Sequence, residues 1–401
     1  MNTEFEKIKS HCHSISKVSE KVNDEFLINF IAEKENMVQN MHHFQKKYRH
    51  IIRKMPDDFF SRIMAEYIIG KTLVANGLIN KYINHSEIRS LSEPERELIN
   101  FQIQNPWRYS FAHIINHPEK EFFLLRDEFV NDEFLIYSPG MEAYFNDGHQ
   151  HALFFILMGF NGECWQSYGL IIAMKGFNAA DIYFYGTELS VTVDSDHTLM
   201  ESVYKDPMPY FMLASGMEYP VVISGDNEIR IFSAVSEIDE LNTEKLKMQF
   251  RSMWNRNVYK FTNEKWSVPP HFATAYYNEK TGELLRHAMT AEGFDNLSEM
   301  LINLGLEIDK QEDFTVSTAM LFTMEDILKK KVVINSYENY FTERTEIIKD
   351  DNLDSINKFM NLVLPHINSG KIPDIAALAK KVGIDNETAQ SIYDQVKDRF
   401  G

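Results

Sequence analysis

Cysteine is nearly absent from this chain. Its 401 residues hold two, Cys12 and Cys164, so neither a disulfide framework nor a four-thiolate zinc site can be assembled within one chain. A reducing cytoplasm is the expected setting, with each cysteine read as a small buried apolar residue. Long apolar runs are missing too. The longest, residues 152–160 (ALFFILMGF), is about half of the roughly 20 residues that a membrane helix needs. It reads as a buried strand, and no membrane association is expected. The opening MNTEFEKIKSHCHS lacks the basic start and apolar stretch of a secretory signal. Helix breakers are missing from the first 55 residues, the first proline being Pro56 and the first glycine Gly70. Positive charge is in deficit as well: a formal net charge of −18 repels phosphate and argues against nucleic-acid binding by the surface at large.

What is present is apolar content of 44%, with 13% aromatic residues, enough to bury cores in two or three domains. Residues 1–105 read as a helical region. Ile8, Ile15, Val18, Val22, Phe26 and Phe30 fall on one helical stripe. Ser92, Glu93, Pro94 and Glu95 form a start signal, with a serine cap, an acidic first turn and an early proline. Residues 106–290 are strand-rich. FAHIINH, EFFLLRDEF, EFLIYS, ALFFILMGF, YGLIIAM, DIYFYG, PVVISG and EIRIFSAV read as strands. Residues 271–288 read as a hairpin turning at 278–282, and helices are expected near 197–215 and 243–258. Residues 291–370 return to helical patterns, and 371–401 form a small tail. The fold class expected is α+β, with a mostly antiparallel or mixed sheet, because strands follow one another without regular intervening helices.

Several segments raise chemical possibilities. Residues 65–72 (AEYIIGKT) satisfy a permissive phosphate-loop pattern, which needs a strand leading into a glycine-rich turn. A helical lead-in and the bulk of Tyr67, Ile68 and Ile69 argue instead for a helix ending or bending at Gly70. Asp147, His149 and His151 would share one face if the segment were extended, and imidazole with carboxylate suits a divalent metal. The segment resembles the paired-histidine strand of some metal-binding barrels, and that resemblance implies a metal-dependent hydrolase. A further ligand such as Asp181, Asp194 or His197 would be required.

In the tail, residues 379–393 (AKKVGIDNETAQSIY) look like a helix-turn-helix, with Gly383 at the turn and Ala379, Ile384, Ala389 and Ile392 closing a small core. The second helix, 386–398, is net −2 from its sequence, which suits a protein surface better than phosphate. Residues 41–54 (MHHFQKKYRHIIRK) hold five cations and no acid. If helical, they turn Phe44, Tyr48 and Ile51 or Ile52 inward. The stretch from Met248 to Trp266, with Met253 and Trp254, mixes aromatics and methionine with cations as interfaces do, although core packing is the favoured reading.

The absence of a catalytic motif and the uneven charge favour a cytoplasmic interaction or regulatory protein with a protein partner and no catalytic centre of its own. The two alternatives are a divalent-metal hydrolase at Asp147, His149 and His151, and a DNA-binding regulator acting through the tail.

Overall fold

The structure, a computed structural model, describes residues 3–219, 221–239 and 241–341, and beyond them 355, 358, 359, 362, 363, 373–386, 388–390, 392 and 393. The chain forms two compact units, Met1–Ser336 and Tyr337–Gly401. The class is α+β, with helices toward both ends and sheets between them.

The first unit opens with helices, as the lack of Gly and Pro dictates. Thr3–Ser19 runs into a π-helical turn, Glu20–Leu27, and on into Ile28–Lys34. Met37–Lys47, Phe59–Leu73 and Glu93–Gln104 follow. The last begins at the serine cap read from sequence, where Glu95 Oε2 accepts the Ser92 amide (2.8 Å).

Five strands then close a barrel: β1 (Arg108–Glu119), β2 (Phe122–Asp127), β3 (Glu133–Tyr137), β4 (Leu153–Phe160) and β5 (Trp165–Met174). Their order is β1-β2-β3-β5-β4, and β4 returns to pair with β1, which makes a Greek key. Every pairing is antiparallel except the short β3–β5 contact at Ile136 and Tyr137. Strand alternation separates two cores. Phe123, Leu125, Phe134, Ile136, Phe154, Ile156 and Ile171 fill the barrel. Tyr109, Phe111, Phe155, Leu157 and Ile172 point outward into a larger cluster with helical residues Val22, Phe30, Tyr48, Ile63 and Ile99. Each such side chain contributes about 1.5–3 kcal/mol on burial. That cluster crosses residue 105, so the helical region and the barrel share one core.

A short hairpin, β6 (Ile223–Ser224) with β7 (Asn227–Glu228), precedes β8 (Arg230–Glu237), β9 (Arg251–Asn255), β10 (Val258–Thr262), β11 (Thr274–Asn278), β12 (Glu283–Ala288) and β13 (Phe314–Ser317). The last six form an antiparallel sheet in the order β13-β8-β12-β11-β10-β9. Helix Ala291–Asn303 covers one face, setting Phe294, Leu297 and Leu301 against Ala234, Phe261, Ala275 and Leu284.

Three local expectations need correction. DIYFYG is part of a helix, Ala179–Leu189, capped by Asn178 and Asp181. Its aromatic content suggests a strand, but a short apolar run carries no decisive period. Only Thr243–Lys247 of the helix expected at 243–258 is helical. Arg256 and Asn257 adopt positive φ (52° and 65°) and turn β9 back into β10. Within the helical stretch after 291, β13 adds a four-residue strand at the β8 edge.

In the second unit, helix Ile375–Val382 ends at Gly383 with φ +78°, a left-handed cap that suits glycine. Ala379, Ala389 and Tyr393 are buried with Phe359 and Val363, and Ile384 and Ile392 pack at the margin. Residues 368–370, and much of 386–398, lie outside the described residues.

Candidate functional site

Residues 147–151 form a turn, not a strand. Asp147 caps helix Pro139–Asn146 and Gly148 has φ +81°, which breaks the alternation that would send Asp147, His149 and His151 to one side. His151 instead lines a hollow of about 400 Å³ with His113 and Glu128. Asp181 is committed elsewhere, accepting from Ser317 N (2.6 Å) and Asn178 N (3.0 Å) and pairing with Arg230 (3.1 Å). Asp194 accepts from the Ser195 and Thr198 hydroxyls. His197 lies 3.9 Å from Glu201 on an exposed helix face. Among the described residues, no group of three or more His, Cys, Asp or Glu side chains could hold a metal ion.

The phosphate-loop match lies inside helix Phe59–Leu73, and Lys71 donates to the Tyr204 and Lys205 carbonyls. In residues 41–54, Phe44, Tyr48 and Ile51 are buried, whereas Lys46, Lys47, Arg49, Arg53 and Lys54 are exposed. Lys54 pairs with Asp326. Of the aromatic stretch, Phe250, Phe261 and Trp266 join the core, while Met248, Met253 and Trp254 are exposed.

The site the sequence does not announce is built around Glu66. Helix Phe59–Leu73 packs along β5, and its inward face brings Glu66, 7% exposed, against the backbone at Gly169. A Cβ at 169 would overlap Glu66 Oε1, so glycine is required for this close approach. Glu66 Oε1 accepts the Leu170 amide; among the described residues, Oε2 takes no hydrogen bond within the protein.

The opposite wall is the π-helical turn, a geometry frequent at functional sites. It presents Asn23 and Asp24. Asn23 donates to Ser19 Oγ (2.7 Å), and its buried Oδ1 has no partner. Ile28, Arg62, Ala65, Ile69, Trp107, Tyr168 and Leu170 complete a pocket of about 360 Å³. Trp107 and Tyr168 stack, with ring centroids 5.0 Å apart. A second hollow of about 350 Å³, lined by His13, Ser16, Glu20 and Tyr137, shares Asp24 and Tyr168 with it.

Burial pushes the Glu66 carboxyl up to about 8; the Leu170 amide opposes this, Asp24 adds to it and Arg62 opposes it. Asp24, largely exposed at the mouth, is also raised, first by partial desolvation and then by Glu20 and Glu25. The pocket thus offers three acceptors (Glu66, Asp24 and the Asn23 carbonyl), an aromatic wall, and one cation, Arg62, at its rim. A perturbed buried carboxyl inside a cleft makes this pocket the functional-site candidate. The glycine inside the β5 run was the one sequence signal for it; Glu66 itself had none. No family model, no curated protein and no solved structure matches this chain.

Proposed function

We propose that this chain is a cytoplasmic regulatory protein that binds a small organic ammonium compound in the Glu66 pocket. The observation that carries the reading is Asn23 Oδ1, buried and without a partner in a pocket whose Glu66 Oε2 takes no hydrogen bond within the protein. An unpaired buried polar atom costs about 1–3 kcal/mol. An ammonium group supplies donors to both oxygens. Its charge is balanced by ionised Glu66 and Asp24, and the Tyr168–Trp107 wall suits its substituents. Glu66 and Asp24 are able to move a proton; a regulatory role is kept because the pocket lining adds no Ser, Cys, Thr, Lys or His nucleophile for them to serve. A regulatory protein acts on a partner, here taken as another protein. Exposed Met253 and Trp254 on the edge strand β9 support that half of the reading, since both residue types are enriched at interfaces.

The test is ligand-dependent stabilisation. Thermal midpoints are measured with a panel of primary and secondary ammonium compounds, which carry N–H donors, at pH 8.5, where Glu66 is largely ionised. At least one should raise the midpoint of the wild type, with a smaller rise at pH 6.5, and none should raise that of Glu66→Gln. No rise with any compound, or an equal rise in both proteins, sinks the proposal.

A further inference from the structure

We propose that Cys12 and Cys164 form a redox pair, which a hydroperoxide converts to a disulfide that clamps helix Thr3–Ser19 to the β4–β5 turn. The two cysteines of the chain lie 152 residues apart, yet their Sγ atoms stand 3.7 Å from each other. Small side-chain rotations would reach the bonding distance of about 2.05 Å.

On one side the pair packs with Phe122, Tyr137 and Ile8; on the other its surroundings are polar and built. Asn161 Nδ2 donates toward Cys12 Sγ (3.2 Å) and Cys164 Sγ (3.8 Å), and also to Gln166 Oε1 (3.0 Å). Asn161 Oδ1 accepts the amides of Glu163 (3.0 Å) and Cys164 (2.9 Å), which fixes the turn. From the helix side, His11 Nε2 contacts Asn161 O (2.8 Å), and Gln166 Nε2 donates to Cys12 O (3.3 Å) and Ser16 Oγ (2.7 Å). A pair serving only as apolar filler would not need an amide aimed at its sulfurs.

The arrangement divides the roles: Asn161 Nδ2 stands closer to Cys12 Sγ than to Cys164 Sγ (3.2 against 3.8 Å). With the Cys164 thiol hydrogen turned toward Cys12, this holds the Cys12 thiol below its ordinary range, against the opposing effect of burial. Cys164 is raised and keeps its proton. The Cys12 thiolate attacks one peroxide oxygen; the O–O bond breaks, and the leaving hydroxide or alkoxide takes up the proton that the Cys12 thiol released, to become water or an alcohol. Cys164 then attacks the Cys12 sulfenic sulfur. The S–S bond forms, and the hydroxyl leaves as water with the Cys164 proton. Two thiols are oxidised by two electrons while one peroxide bond is reduced. Both sulfurs are buried, so the oxidant enters when helix Thr3–Ser19 opens locally. None of this depends on what the Glu66 pocket binds.

The full-length chain is treated with hydrogen peroxide, and its peptides are mapped without reduction. The expected product is an intrachain peptide joining Cys12 to Cys164, reversed by dithiothreitol. In Cys164→Ser, peroxide should yield a Cys12 sulfenic acid trapped by dimedone. In Cys12→Ser, Cys164 should react roughly tenfold or more slowly than Cys12 does in Cys164→Ser. Cys→Ala versions guard against misfolding of the serine variants, and the wild-type arm stands alone if all variants misfold. Retention of both thiols under peroxide that oxidises a free cysteine, links between chains only, or equal reactivity of the two cysteines would overturn the proposal.

Discussion

Glu66 couples the candidate pocket to pH with a sign that can be worked out. Its folded-state value is about 8 against an ordinary 4.5. Below 4.5 both the folded and the unfolded chain hold the proton, and the group has no effect on stability. Between 4.5 and 8 the unfolded chain releases the proton while the folded chain keeps it, so stability falls as pH rises. Above 8 the loss is complete. The slope has an upper limit of about 1.4 kcal/mol per pH unit. Urea midpoints of the wild type should therefore decline between pH 5 and 8 more steeply than those of Glu66→Gln, which keeps an acceptor for the Leu170 amide. Parallel pH profiles for the two proteins would assign the decline to other groups.

Elements meet at two points where one side chain does the joining. Asp181, fully buried, binds its own helix cap, the β13 backbone at Ser317 and Arg230 of β8. It links helix Ala179–Leu189 to the six-stranded sheet. Asp181→Ala leaves the Arg230 guanidinium, whose side chain is 8% exposed, with Glu228 (3.0 Å) and Asn178 (3.1 Å) as its remaining partners. The loss should fall short of the full cost of an unpaired buried charge, and chemical denaturation should show about 1–3 kcal/mol; a loss under about 1 kcal/mol would mean that Glu228 and Asn178 suffice. Gly169 is the second point. Gly169→Ala should displace Glu66 and abolish any ammonium-dependent midpoint shift, with the barrel still folded by circular dichroism.

These two points also mark the limit of what the residues foretell. The helix start at Ser92, the barrel strands and the inward face of residues 41–54 follow from local pattern, because each is decided by neighbours in sequence. Asp181 was weighed as a metal ligand because its partner, Arg230, is 49 positions away in the sequence. Glu66 went unremarked because its environment comes from three separate segments: the π-helical turn, its own helix and β5. Desolvation is a tertiary property and leaves no mark on the residue that suffers it.

For the whole molecule, charge and topology bear together on nucleic acid. The outer face of β2 and β3 is covered by helix Thr3–Ser19. Phe5 packs on Phe122 with ring centroids 5.0 Å apart, Lys9 pairs with Glu121, and His13 meets Tyr137. What remains for a polyanion is the basic helical patch, where Lys46, Lys47, Arg49 and Arg53 are exposed and enter no ion pair among the described residues. Four cations on a chain of net charge −18 supply few phosphate contacts against a repulsive field. Such binding weakens roughly tenfold or more between 50 and 200 mM salt. At about 150 mM salt, where the Debye length is about 8 Å, no retention of single- or double-stranded DNA or of RNA is expected in a mobility-shift assay. At 20 mM salt, a weak complex lost on charge reversal of Lys46, Lys47 and Arg49 would fit the same account. A submicromolar complex at 150 mM that the triple reversal abolishes would instead make this helix a nucleic-acid surface and displace the ammonium-binding regulator as the leading reading.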